Sequence, residues 1–189
     1  MSLEISSNII LLISLTLLVF CILHSIMTDC RSLIISNKTT LFIVILFFTE
    51  SLINSRIDNT FFYTVLCSFF VFLLFFAFFV FNFLGGGDVK LVASISLWLG
   101  PALLFDFLFY MSLIGGGLAF IKIVLMKTKE HLNSAVFTNM TYKFSQTKEI
   151  PYGIAIGFSA LIMIPRIYNN LSPDTPQTTN LYELFFALF

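Results

Sequence analysis

The sequence predicts an all-α protein, a polytopic transmembrane helix bundle of about six spans, and three observations predict it. Of its 189 residues, 58% are hydrophobic and only 11% charged, with a mean hydropathy of +0.99. That balance is too apolar for a water-soluble domain of this size. Long apolar runs such as 61–81 show no alternation of polar and apolar faces, as expected of side chains that meet lipid. The few charges, finally, gather in the short stretches between those runs.

A membrane-crossing helix needs about 20 residues. On that measure the expected spans are 8–27, 39–56, 61–83, 89–102, 104–126 and 150–168. The first lacks a basic leader region and a small-residue cleavage site, so it reads as a retained helix and not as a signal peptide. The fourth is short and ends at Gly100-Pro101. Residues 1–168 form the expected membrane-embedded unit. The stretch 169–180, rich in Asn, Ser, Pro and Thr, reads as a linker, and 181–189 is too short to span.

Orientation follows from the basic residues, which are retained on the cytoplasmic side. With the N-terminus outside, the cytoplasmic segments 28–38, 84–90 and 122–149 hold eight of them, from Arg31 to Lys148, and the outer segments hold two, Arg56 and Arg166. The expected location is therefore a cytoplasmic (inner) membrane, crossed several times. The formal charge of zero gives no support for nucleic-acid binding. Cys21, Cys30 and Cys67 have no CxxC spacing, which argues against a zinc site or a disulfide framework, and no cofactor or metal is expected.

Ionisable groups near lipid are costly and therefore informative. Asp29 ends the first expected span and Asp88 precedes the fourth, so two crossings return the chain to the side it left. The preceding Gly85, Gly86 and Gly87 weaken the helix beside Asp88 and permit close approach. Two carboxylates sharing a site cannot both ionise cheaply, and an unequal pair suits water-mediated peptide hydrolysis. The same residues also fit a solvated turn in which Asp88 caps a helix, or an ion pathway in a transporter or assembly subunit.

Three spaced motifs then narrow the choice. Gly85-Gly86-Gly87-Asp88-Val89-Lys90 resembles the GxGDxK motif of the type IV prepilin peptidases. Asp29 to Asn37 resembles that family's D-x-x-x-x-x-I-P-N segment, with Ser36 where the pattern has proline. Pro151-Tyr152-Gly153-Ile154-Ala155 is similar to its P-Y-G-x-A. The resemblance is closest to the short Flp or tight-adherence subtype.

The resemblance implies a membrane aspartic endopeptidase that removes prepilin leader peptides at the cytoplasmic face, with Asp29 and Asp88 catalytic. It implies no N-methyltransferase activity and no zinc domain. It further implies Gly85, Gly86, Gly87 and Lys90 as motif residues, Asn37, Pro151 and Tyr152 as supporting ones, and a prepilin as substrate, with the pilus assembly machinery a further partner. An archaeal preflagellin peptidase would share both aspartates.

Other features read as structural. Lys90 either tunes Asp88 or snorkels to the interface. Glu50 is expected to pack at the outer end of the second span, and His24 to pack or hydrogen-bond near Asp29. Gly115 to Gly117 suit close helix packing. Pro101-Ala102-Leu103 resembles the PAL tripeptide of presenilin-type proteases but falls on the side opposite Asp88.

Overall fold

A computed structural model describes residues 2–32, 34–129 and 152–172. They form five helices: α1 (Ser2–Ser32), α2 (Asn37–Ile53), α3 (Asn59–Val80), α4 (Gly86–Lys129) and α5 (Tyr152–Leu171). Four, namely α1, α3, α4 and α5, are long and apolar enough to cross a membrane, and α2 is apolar but only 17 residues long. The bundle is all-helical, as the composition predicts. Pro151 and the tail from 173 onward lie outside the described residues.

The helix ends follow from local chemistry. Ser36 caps α2: its hydroxyl accepts a hydrogen bond from the Lys38 amide, and its φ of −69° is the value a proline ring would impose. A proline at this position would meet the same φ. Asp58 caps α3 by accepting from the Phe61 amide at 2.9 Å. Both helices end in Schellman motifs. The Arg56 amide donates to the Ser51 carbonyl and the Phe83 amide to the Phe78 carbonyl, with Ser55 and Asn82 in the left-handed region.

The two helices expected at 89–102 and 104–126 appear as the two arms of α4. The break between the arms is at Gly100, where φ is 62° and ψ is 178°. That conformation is open to glycine and strained for other residues. Cross-helix contacts show what the break does. In the first arm (86–99), Lys90 meets Asn37 at the start of α2 and Trp98 meets Ile43 farther along, so this arm runs parallel to α2. In the second arm (101–129), Asp106 pairs with Arg166 late in α5, and Gly115 faces Tyr152 at its start. The second arm therefore runs antiparallel to α5. Since α2 and α5 both start at the Asp29 end, Gly100 reverses the chain, and the fourth and fifth expected spans are the two arms of α4.

Helix α3 packs on α4, α5 on both α4 and α1, and α2 on α1 and α4. The buried residues of α3 are Thr64, Ser68, Val71 and Phe75, a stripe at steps of three and four, while Phe62, Phe69, Phe70 and Phe76 point outward. At the centre, Trp98 stacks edge-on against Phe47, and its indole N–H donates to the Ile43 carbonyl at 3.3 Å. Between α3 and the first arm, Ser68 donates to the Ala93 carbonyl and Ser96 to the Ser68 hydroxyl, both at 2.7 Å. Small hydroxyls of this kind let helix backbones approach while satisfying their own polarity in an apolar surround.

Candidate functional site

One end of the bundle collects the motif residues. Helix α1 continues past the expected limit of 27 to Ser32, so Asp29 lies inside its last turns. Its side chain is only 4% exposed. Asp88 likewise sits in the first turn of α4, where a carboxylate is favoured by the positive end of the helix dipole. The short link 34–36 between α1 and α2 joins the two.

The glycines before Asp88 act through space and not through unusual backbone. Gly86 and Gly87 are already helical, and only Gly100 among the described glycines has a positive φ. A Cβ on Gly87 would stand 3.0 Å from the Ile35 Cβ, and one on Gly86 would stand 3.3 Å from the Phe79 ring. Glycine at 87 therefore lets the start of α4 lie against the link that follows Asp29. Three residues on, the Lys90 ammonium donates to the Asn37 side-chain oxygen at 2.9 Å. That bond ties α4 to the first residue of α2, a more specific role than snorkelling. The Asp29 and Asp88 segments are thereby fastened to one another across the link.

Helix α5 closes the site from the other side. Its first-turn amides of Ile154 and Gly153 face the Asp29 carboxyl as hydrogen-bond donors. A Cβ on Gly153 would stand 2.7 Å from Asp29 Oδ2 and 2.8 Å from its Cγ, closer than any real contact. One turn later, Gly157 lies against Ile26 of α1. This Gly-x-x-x-Gly pair is the small-residue spacing that lets two helices meet backbone to backbone in lipid. Asp29 Oδ2 itself is buried without a hydrogen-bond partner of good geometry.

The remaining candidates sort clearly. Tyr152 packs its ring 3.2 Å from the position of a Cβ on Gly115, which makes Gly115 a packing glycine, whereas Gly116 and Gly117 have open space around them. His24 shares a hydrogen bond with Thr39 at 3.3 Å between α1 and α2. Glu50 is at the far end, buried and paired with Arg56 at 2.7 Å. Pro101 follows Gly100, also at the far end from Asp88. Among the described residues, no group of three or more His, Cys, Asp or Glu side chains is gathered for a metal ion.

The family model of the type IV leader peptidase family matches residues 15–120. The protein belongs to the type IV leader peptidase family. The matched region contains Asp29, the link to α2, the Gly85–Lys90 motif and Gly100, so it covers most of the end just described. Comparison with curated proteins and with solved structures gives no match.

Sequence reading gave roles to Pro151 and Tyr152 but none to Gly153 and Ile35, although both fall inside the matched motifs, as the G of P-Y-G-x-A and the I of I-P-N. The spacing of Gly153 and Gly157 was a visible signal for Gly153.

Proposed function

We propose that this leader peptidase is an aspartic endopeptidase in which Asp29 and Asp88 form the working pair. The observation that carries the reading is the meeting of both acid-bearing helix ends on the 34–37 segment, through Gly87 against Ile35 and Lys90 with Asn37. Burial of Asp29 with an oxygen that lacks a good partner supports it, since such groups are costly unless they have work to do.

In the proposed reaction one carboxylate removes a proton from water as the water oxygen bonds to the scissile carbonyl carbon. The protonated partner gives its proton to the carbonyl oxygen. Collapse of the tetrahedral species breaks the C–N bond: the leaving nitrogen takes a proton from the acid that took it from water, and one hydroxyl of the species returns its proton to the other carboxylate. Either aspartate can begin as the charged member, because a coupled pair titrates as a unit.

The substrate of this reading is a Flp-type prepilin whose apolar helix lies in the bilayer, with cleavage at the cytoplasmic face of the inner membrane and the N-terminus outside. The gathering of Arg31, Lys38, Lys90 and Lys122 toward the Asp29 end supports that orientation. Through the pilin, the pilus assembly machinery is the further partner.

Asp29→Ala and Asp88→Ala should each lower leader cleavage of a co-expressed prepilin by at least about 10³-fold, at unchanged protein level in the membrane. Normal cleavage by either variant sinks the pair.

A further inference from the structure

We infer that the N-terminus of α5 is a positioning device for Asp29, with Gly153 and Ile154 as its working residues. The inference rests on the proposed role of Asp29 and extends it to a helix that lies beyond the family-matched segment.

Three independent observations meet at this point. The first is space: the Gly153 Cα faces the Asp29 carboxyl so closely that a Cβ would stand 2.7 Å from Oδ2, 2.8 Å from Cγ and 3.0 Å from Cβ. Those atoms cannot swing away cheaply, because Asp29 is held inside the last turns of α1 and is 4% exposed. The second is polarity. The first amides of a helix have no partner within it, and here those of Ile154 and Gly153 point at the carboxyl. The third is the unfilled capacity of the acid: Oδ2 is buried and lacks a hydrogen bond of good geometry. The start of α5 therefore fixes where the carboxyl can lie and sets its nearest backbone donors beside it.

The register of this contact is set farther along both helices. Gly157 lies against Ile26, one turn before Asp29, so the α1–α5 contact uses glycine at both levels. The two glycines differ in what they touch. Gly157 meets an aliphatic side chain and serves packing, whereas Gly153 meets the acid itself. Tyr152, beside Gly153, packs on Gly115 of the second arm of α4, which anchors the α5 start from the opposite side.

The two roles separate by substitution. Gly153→Ala adds the Cβ that pushes the carboxyl from its seat. Ile154→Pro removes one amide donor and puts the ring Cδ where its hydrogen stood, leaving the Gly153 Cα position without a side chain. Proline is tolerated in the first helical turn because that N–H has no helical partner to lose. Gly157→Ala wedges the same helix pair without touching the acid.

In purified protein in lipid, below the melting temperature of each variant, Gly153→Ala and Ile154→Pro should lower kcat for prepilin cleavage by about tenfold or more. KM should stay within about twofold of the parent, because the substrate's own contacts are intact. Gly157→Ala should melt lower but keep kcat within about threefold. A parental kcat in Ile154→Pro, or a kcat loss in Gly157→Ala equal to that in Gly153→Ala, overturns the inference and reduces Gly153 to a packing residue. Should Gly153→Ala fail to fold, Ile154→Pro decides alone. The aspartate reading is judged separately, by whether Asp29→Ala and Asp88→Ala lose cleavage while the parent retains it.

Discussion

The two ends of the bundle treat their acids differently. At the Gly100 end, Glu50 is 2% exposed and fully engaged: Arg56 pairs with it at 2.7 Å, and Asn54 donates to the same oxygen at 2.8 Å. Asp106, on the second arm of α4, is paired with Arg166 of α5. At the other end Asp29 is nearly as buried as Glu50, yet it is approached by helix amides on one side and has an oxygen without a good partner. A buried acid with a guanidinium beside it serves the fold. A buried acid held but not neutralised by a partner side chain costs stability, as the proposed catalytic role of Asp29 requires.

Amide replacements offer the largest test of that contrast. Asp29→Asn should lower prepilin cleavage by at least about 10³-fold while its thermal midpoint in detergent stays level or rises, since a functional acid contributes little to the fold. Glu50→Gln should do the reverse, leaving kcat near the parent and costing on the order of 2 kcal/mol of stability as the Arg56 pairing weakens. If Glu50→Gln loses cleavage in a well-folded sample, the division of labour between the ends is wrong.

A smaller effect is expected where α4 is tied to α2. Asn37→Ala removes the acceptor of the Lys90 bond, and a hydrogen bond to a charged group contributes about 1.5–3 kcal/mol. Because this bond joins the two acid-bearing segments, part of that energy should appear as a fall of roughly fivefold to tenfold in kcat/KM. Steady-state cleavage assays would detect it. Unchanged kinetics would mean that the Gly87–Ile35 contact alone keeps the segments together.

The smallest effect belongs to the far end. Ser55 adopts a φ of 51° in the Schellman turn after α2, a conformation that costs an L-residue about 1–2 kcal/mol. Ser55→Gly should recover up to about 1 kcal/mol, read as a higher thermal midpoint with cleavage unchanged.

Hydropathy and charge were sufficient for much of this architecture. The apolar runs fall on helices α1 to α5, and the basic stretches gather at the end that carries Asp29 and Asp88. Asp29, Asp88, Lys90 and Asn37 were identifiable as candidates because acids and amides stand out against an apolar background, and three motifs with fixed spacing pointed to one family. Helix ends were less accurate. Helix α1 runs on through Asp29 to Ser32, since polar residues such as Thr28 and Ser32 bond back to carbonyls of their own helix and continue it.

What the sequence by itself determined was which segments enter lipid and which residues could do chemistry, because both depend on sums over neighbouring positions. Only the tertiary structure decided that Lys90 bonds Asn37, that Asp106 meets Arg166, and that Gly153 lies against Asp29. Each of those depends on the distance between helices that are remote in the chain. The physical reason is close packing: where two backbones meet through glycine, a single absent Cβ sets the position of an acid more than a hundred residues away in the chain.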